Sequence, residues 1–255
     1  MHKAVLIAAA AVISFCLVAA VSAEEKGLFD EAGISITGDI AYYSDYVWRG
    51  FLLDGDAVVQ PGIYIAGPET AFGTLTAKFW SSHDLNNSDS RASEEYDYIL
   101  DYTFGFNDID VSFGHTYYDF PGTDSFSREF YAGIALPNVF LSPSLCVYRD
   151  YGRPEDGGGQ GTYTVLNAAY SVPLTVARYA CSLDLSGHYG YNHELFINGK
   201  GADIGLQAGF AVPLTKNSSL VPNVNYSIAL GDLKKETDGN QKKRMFAGLA
   251  LQFSL

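Results

Sequence analysis

The sequence predicts an all-β protein, a closed antiparallel transmembrane β-barrel of about twelve strands that follows a cleaved N-terminal signal peptide. Residues 244–255 alternate strictly and have one entirely apolar face, as in a strand with one side in an apolar medium. The same alternation recurs along the mature chain, and no stretch of helical periodicity is available to cover the apolar faces. We therefore expect lipid to cover them. Because a strand in hydrocarbon needs partners on both edges, the last strand must pair with the first.

Residues 1–23 have the order of a secretory signal peptide: Lys3, an apolar run, and small residues that end at Ala23. We predict cleavage after Ala23, which leaves a periplasmic leader at 24–33 and an outer-membrane barrel at 34–255. A retained membrane anchor is the alternative, because the apolar run is long enough to be interpreted as a span. The small residues at the cleavage position favour removal.

The first three strands are predicted at residues 34–46, 57–66 and 73–83. Their lipid-facing positions carry mostly aliphatic and aromatic side chains: Ile34, Ile36, Ile40, Tyr42, Tyr46, Val59, Pro61, Ile63, Ile65, Leu75, Ala77 and Phe79. A turn at 67–70 separates the second strand from the third. Residues 84–94 are rich in Asn and Ser, which predicts a solvated loop.

Four strands follow in the middle of the chain. They are predicted at residues 95–104, 109–119, 128–136 and 143–151. The first of them has the clearest pattern, since Tyr96, Tyr98 and Tyr102 alternate with acidic or small polar residues. A tight turn at 106–108 predicts a hairpin with the next strand. The loop at 152–161 contains three consecutive glycines and is expected to be a flexible tip.

The last five strands complete the sheet. They are predicted at residues 162–172, 180–190, 201–212, 220–230 and 244–255, with turns at 173–175 and 213–217. The even total places both termini on one side, and five short turns lie on that side against six generally longer loops on the other. A soluble β-sandwich is the alternative, but strands of roughly eleven residues are long for a sandwich and suit a tilted membrane strand.

The composition is acidic and aromatic. The chain has 29 Asp and Glu against 16 Lys and Arg, a formal net charge of −13, which argues against nucleic acid as a partner. Its 18 Tyr, 16 Phe and 26 Gly suit a barrel with aromatic girdles and tight turns. Cys16 follows the bulky Phe15, so no lipid anchor is predicted. Cys146 and Cys181 fall on opposite faces, which predicts no disulfide, and their spacing matches no metal motif.

Two motifs resemble a conserved-hypothetical family of proteobacterial outer-membrane proteins labelled Gcw_chp. Residues 44–51 read Ser-Asp-Tyr-Val-Trp-Arg-Gly-Phe, followed by Ala-Val-Val-Gln-Pro-Gly at 57–62, and residues 117–122 read Tyr-Tyr-Asp-Phe-Pro-Gly. The resemblance implies a barrel in the cell outer membrane and implies no activity. The last strand, with Gly248, Leu251 and Phe253, resembles the signal by which barrel assembly machinery recognises its clients, so that machinery is an expected partner.

The inward-facing positions carry many more acids than cations. The predicted lumen acids are Asp39, Asp45, Glu95, Asp97, Asp101, Asp110, Glu129, Asp150, Asp184 and Asp203, and the predicted lumen cations are Lys78 and Arg244. Carboxylates without matching cations stay ionised where water reaches them, so we predict a narrow, wet, porin-like lumen that favours cations. The alternative is that these acids accept hydrogen bonds from Tyr43, Tyr64, Tyr131 and Tyr148, and fill the bore.

Residues Trp48, Arg49 and Gly50 form a predicted rim motif where the first strand reaches the outer rim. We expect Trp48 to anchor the aromatic girdle and Arg49 to pair with a lumen acid such as Asp45. The expected partners are outer-membrane lipid and small solutes, including cationic ones.

Two other functions are open at this point. A lipid-modifying hydrolase would need a histidine beside a serine or carboxylate on the outer rim, for which the candidates are His83, His115, His188 and His193. None lies in a nucleophile motif, so we predict that the protein is not an enzyme. A non-conducting structural or surface-recognition barrel is the other alternative.

Charged loop residues are weaker candidates. Asp54 with Asp56, and Glu155 with Asp156, could hold Ca²⁺ but lack the spacing of a calcium loop, so no metal or cofactor is predicted. A basic group in the last loop could pair with lipid phosphates or form a solvated rim; it comprises Lys234, Lys235, Lys242, Lys243 and Arg244.

Overall fold

The computed structural model describes residues 28–86, 94–236 and 243–255. Twelve antiparallel strands close into one barrel, which confirms the predicted fold class. The predicted signal peptide and residues 24–27 of the predicted leader lie outside the described residues. Within the described ranges, no helix is long and apolar enough to cross a membrane.

The described residues form fourteen strands, of which β2 and β3 lie outside the barrel wall. In order they are β1 Ser35–Tyr43, β2 Tyr46–Trp48, β3 Phe51–Asp54, β4 Val58–Ala66, β5 Thr74–Asp84, β6 Glu95–Phe106, β7 Ile109–Phe120, β8 Ser125–Ala135, β9 Ser144–Asp150, β10 Thr162–Val176, β11 Tyr179–His193, β12 Lys200–Thr215, β13 Ser218–Gly231 and β14 Lys243–Ser254. Single helical turns lie at Leu28–Glu31, Pro154–Asp156 and Leu233–Glu236.

The first and last strands close the barrel, as predicted. β1 pairs with β14 from Thr37 opposite Ser254 to Tyr43 opposite Gly248, and its other edge pairs with β4. Closure gives each barrel strand a neighbour on both edges, and over the paired positions the backbone groups are hydrogen-bonded within the sheet.

Alternation sorts the side chains between the lipid and the interior. Outward positions are exposed and apolar, for example Leu100, Phe113 and Met245, which are 52%, 51% and 73% exposed. Inward positions are polar, and many are buried. The outward band is the surface that hydrocarbon covers in a membrane barrel.

The turn predicted at 173–175 is wrong and the one predicted at 213–217 is too long, because both strands continue through proline. β10 runs to Val176 and turns at Ala177 and Arg178, while β12 runs to Thr215. Pro173 lies beyond residue 167, where β10 has left its neighbour β9 and pairs with β11 alone. Proline is tolerated at such an edge, because its missing N–H has no ladder partner to lose.

The connections divide as predicted into five on the side of the termini, here named the turn end, and six on the opposite side, here named the loop end. One correction concerns the first loop. The first strand does not continue to Tyr46 but ends at Tyr43, and residues 46–54 form a separate two-stranded sheet. Tyr46 is 7% exposed and lies inside the barrel, not on the lipid face.

Candidate functional site in the barrel mouth

The hairpin of β2 and β3 folds into the loop end of the barrel. Its two-residue turn is Arg49 and Gly50, both with positive φ (47° and 79°), as in a type I′ hairpin turn. A Cβ on Gly50 would lie 2.7 Å from the Asp203 Cβ atom and 2.7 Å from the Leu233 Cδ2 atom. Glycine is therefore required both by the backbone conformation and by the close approach to the wall.

Arg49 holds the tip of the hairpin against the wall formed by β7–β10. Its Nη1 and Nη2 atoms donate to the two carboxylate oxygens of Glu129 at 2.6 and 2.8 Å. The guanidinium carbon lies 4.3, 4.4 and 4.7 Å from the ring centroids of Tyr148, Trp48 and Tyr163. This is a bidentate ion pair enclosed by aromatic faces. Burial on its own lowers the pKa of Arg49, but the Glu129 carboxylate outweighs it and the pKa is raised.

Glu129 also receives a hydrogen bond from the wall. The Tyr118 hydroxyl donates to its Oε2 atom at 2.7 Å. The Glu129 side chain is 0% exposed and that of Arg49 is 9% exposed. Arg49 thus pairs with a predicted lumen acid, as expected, but the acid is Glu129 and not Asp45. Asp45 instead accepts hydrogen bonds from Arg244 of β14 at the foot of the hairpin.

Two aromatic side chains fix the rest of the hairpin. The Tyr46 hydroxyl donates to Glu95 Oε2 at 2.7 Å, and its ring lies 5.8 Å from Trp80 of β5. Trp48 packs inside the mouth at 6.1 Å from both Tyr118 and Phe196. Trp48 is therefore not an anchor of the aromatic girdle, because its hairpin has left the barrel wall.

Other loops also fold over the mouth. Asp150 accepts hydrogen bonds from the Ser127 hydroxyl at 2.5 Å and from the backbone N–H groups of Gly152, Gly159 and Gln160 at 2.9–3.1 Å. These contacts hold the glycine-rich loop in place, so it is not the flexible tip that its composition predicts. Leu195 of the next loop is 0% exposed and packs on Tyr163.

The remaining predicted lumen acids face inward, and most accept hydrogen bonds from neighbouring side chains. Asp39 accepts from Tyr64 at 2.8 Å, and Asp203 accepts from Tyr163 at 2.9 Å and contacts His188 at 2.6 Å. Tyrosine hydroxyls thus engage several acids, as the alternative interpretation expected.

Nearer the turn end, Asp101 accepts from Tyr131 and from Thr103, and Lys78 Nζ lies 3.8 Å from it. Asp184 accepts from Ser171 at 2.6 Å and from Ser182 at 3.1 Å. Asp97 and Asp110 also occupy inward positions of β6 and β7. The structure therefore brings the predicted acids together in one interior.

Space remains inside the barrel beside the hairpin. A cavity of ≈ 230 Å³ lies between Arg49 and Gly50 on one side and Ser186, Gln207 and Asn225 of β11–β13 on the other. A second cavity of ≈ 410 Å³ lies toward Tyr118 and Phe120, and a third of ≈ 470 Å³ opens at the turn end beside Asp39. The hairpin narrows the bore. The polar cavity that remains beside Arg49 lies along β11–β13, and Glu129 is on β8.

One of the candidate histidines lies in a chain of polar contacts at the loop end. On the outward face of β5, the Oγ atom of Ser81 is 3.1 Å from His83 Nε2, and His83 Nδ1 is 3.2 Å from Glu94 Oε2. Ser81 is 2% exposed. His115 contacts the Tyr151 hydroxyl at 2.7 Å on the outer surface, and His193 lies in an exposed contact with Glu194.

The loop charges do not assemble into a common site. Asp54 accepts a hydrogen bond from the backbone N–H of Asp56. In the last loop, Lys235 pairs with Asp232 at 2.6 Å, whereas Arg244 points inward and pairs with Asp45. Lys242 lies outside the described residues. Over the described parts of the chain, no group of three or more His, Cys, Asp or Glu side chains could hold a metal ion. Cys146 and Cys181 are free thiols.

The architecture is that of outer-membrane β-barrels. No family model matches the chain, and no curated protein matches it. Among solved structures, the chain is similar to the KdgM porin (12% identity, TM-score 0.50), covering 87% of this chain and 99% of that one. It is similar to the NanC porin (6%, 0.51; 87% and 100%) and to an outer membrane channel from Pseudomonas putida F1 (10%, 0.50; 88% and 96%). At these identities the similarity shows the fold, and the resemblance to the Gcw_chp family stays a prediction.

Proposed function

We propose that the protein is a porin-like channel of the cell outer membrane, with a narrow bore that passes small solutes and favours cations. The observation that carries the proposal is the interior of the closed barrel, which is polar, predominantly acidic and not completely filled by the hairpin. Two porins and an outer membrane channel share the fold, which supports the same conclusion.

The inward carboxylates differ in how their charge is balanced. Glu129, Asp45 and Asp101 each lie beside a cation. Asp39 and Asp184 instead accept hydrogen bonds from hydroxyl groups and are partly exposed inside the barrel. A hydroxyl stabilises a carboxylate without cancelling its charge, so these two acids attract cations and repel anions in the bore.

The test is ion selectivity in planar bilayers. We expect discrete conductance with cation preference, and a smaller preference in the Asp39→Asn/Asp184→Asn double variant. Glu69→Gln is the matched control, because Glu69 is an exposed turn residue at the same end and its neutralisation should leave selectivity unchanged. Absence of conductance from the folded wild type would reject the channel and favour a structural or surface-recognition barrel.

A second candidate function, hydrolysis of a lipid ester, is favoured by the contacts of Ser81, His83 and Glu94. The order serine to histidine to carboxylate is the one in which histidine removes the proton from a serine nucleophile. The channel remains the better supported function, because Ser81 is 2% exposed and the ring of Tyr96 packs on His83.

This second function has a direct test. Phospholipid vesicles are incubated with the purified barrel, and released fatty acid is measured. A hydrolase would lose activity in Ser81→Ala and keep it in Ser82→Ala, since Ser82 faces inward and contacts Gln60. No fatty acid release from the wild type would reject this function.

A further inference from the structure

The wall around the Arg49 guanidinium is a complete recognition site that belongs to the barrel, not to the hairpin. Glu129 lies on β8, Tyr118 on β7, Tyr148 on β9 and Tyr163 on β10. We name these four residues the guanidinium site. It offers a buried carboxylate with both oxygens turned inward and the faces of two tyrosine rings at 4.3 and 4.7 Å.

These features match a planar guanidinium better than an ammonium ion. A carboxylate binds the guanidinium fork through two parallel hydrogen bonds, and aromatic rings stack on its plane. Tyr118 donates to the carboxylate and holds it in orientation. The site therefore has the chemistry to bind any solute that carries an exposed guanidinium group.

Arg49 enters this site from an element that is separate from the barrel wall. The hairpin pairs within its own two-stranded sheet and is not hydrogen-bonded into the barrel ladder. Arg49 and Gly50 line the ≈ 230 Å³ cavity, so a solute in this cavity would lie beside the arginine that occupies the site. The hairpin thus resembles a tethered ligand in a preformed pocket.

We propose that the guanidinium site is a binding site for guanidinium-bearing solutes, and that Arg49 occupies it as an internal competitor until such a solute displaces the hairpin. The inference rests on the proposed channel function and names the class of solute. A competing guanidinium group replaces both the ion pair and the ring contacts that hold the hairpin tip, so that the bore widens when the solute is present.

The first experiment measures recognition without conduction. Folded Arg49→Ala barrel in detergent is titrated with methylguanidinium, which restores the end of the missing side chain, and binding is followed by calorimetry. We expect saturable binding to Arg49→Ala and at least about tenfold weaker binding after the further change Glu129→Gln, because a charge-assisted bidentate contact is lost. Arg178→Ala, which removes an exposed turn arginine, should bind no more than the wild type does.

Methylammonium is the matched ligand control and should bind Arg49→Ala more weakly, since it lacks the planar fork. Heat-modifiable migration on gels establishes that each variant is folded. Should Arg49→Ala not fold, Arg49→Lys keeps the charge, and methylguanidinium should compete with its ammonium group. Absence of saturable binding to a folded variant at position 49, or equal binding of the two ligands, would overturn the inference.

The second experiment separates this inference from the channel proposal. In planar bilayers Arg49→Ala should conduct more than the wild type, and methylguanidinium should reduce the difference. Conductance without methylguanidinium binding would reject the guanidinium site and leave the channel. Binding without conductance in either protein would reject the channel and leave the site.

Discussion

Two sides of the barrel interior differ in what they hold. The wall of β6–β10 carries the carboxylates and tyrosines that bind the hairpin, with Glu129, Tyr118 and Glu95 in direct contact with it. The wall of β11–β14 is dominated at its inward positions by glycine, serine and amide side chains. Its Gln207 donates to Asn225 at 2.8 Å, and Asn225 donates to Asn223 at 2.7 Å.

The two walls therefore have different structural roles. Charges on the first wall position the hairpin: Glu129 is paired with its Arg49, and Asp150 accepts a hydrogen bond from the Ser127 hydroxyl. Neutral polar groups on the second wall satisfy each other and border the cavity that remains beside Arg49. A count of acidic residues alone therefore overstates how many of them a passing solute would meet.

The largest effect should follow from removal of the hairpin's main contact on the charged wall. Glu129→Ala leaves the buried Arg49 without its partner, so we expect the free energy of unfolding to fall by about 3–5 kcal/mol. Urea-induced unfolding in vesicles, followed by tryptophan fluorescence, measures it. Asp184→Ala on the wall of β11–β14 should cost about 1 kcal/mol, because it removes only hydrogen bonds from hydroxyl groups. Equal losses would contradict the different roles of the two walls.

A smaller effect is expected at the hairpin turn. Gly50→Ala places a methyl group 2.7 Å from Asp203 and Leu233 atoms at a residue with φ of 79°. We expect a loss of about 1–3 kcal/mol in the same unfolding measurement, since both strain and overpacking oppose the native hairpin. Gly55→Ala is the control in the same loop, because its Cβ would come no closer than 3.4 Å to the Arg244 Nη2 atom and 3.8 Å to the Leu52 Cδ2 atom, and should change stability little. If both variants lose the same stability, the hairpin turn is not pressed against the wall.

The smallest effect on stability should accompany a clear effect on conductance. Ser186 faces inward from the wall of β11–β14, is exposed inside the barrel and borders the ≈ 230 Å³ cavity. Ser186→Phe should lower single-channel conductance by at least about twofold, because it narrows the remaining path, and change unfolding by less than about 0.5 kcal/mol. Leu185→Phe, on the lipid-facing side, should leave conductance unchanged. A normal conductance in Ser186→Phe would place the path elsewhere.

Much of the wall could be predicted from the sequence, because each residue's environment there depends on strand parity alone. Asp97 faces inward and Tyr98 outward as their alternation predicts, and the last strand pairs with the first because exposed edges are not tolerated in lipid. The continuation of β10 through Pro173 could not be predicted from the residues around it. It is possible because the neighbouring strand β9 pairs with β10 only as far as Asn167, and no local sequence signal encodes that.

The hairpin could not be predicted for a different reason. Residues 44–51 continue the alternation of β1, so Tyr46 has the pattern of one more wall residue. Its true position depends on contacts with residues far along the chain, such as Glu129, which is 80 positions from Arg49. Arg49 and Gly50 both have positive φ in the turn, but the dipeptide Arg-Gly is a weaker sequence signal for such a turn than Asn-Gly.

The foot of the hairpin lies across the seam where the two ends of the sheet meet. Arg244 of β14 donates to Asp45, and Ser44 exchanges hydrogen bonds with Ala247 just beyond the β1–β14 ladder. Those bonds form only after β14 has paired with β1, so a loop near the beginning of the chain reaches its final position late in the closure of the barrel. In a barrel not yet closed between β1 and β14, the foot of the hairpin would lack these hydrogen bonds. Closure of the barrel would therefore complete the sheet and fix the hairpin in the same step.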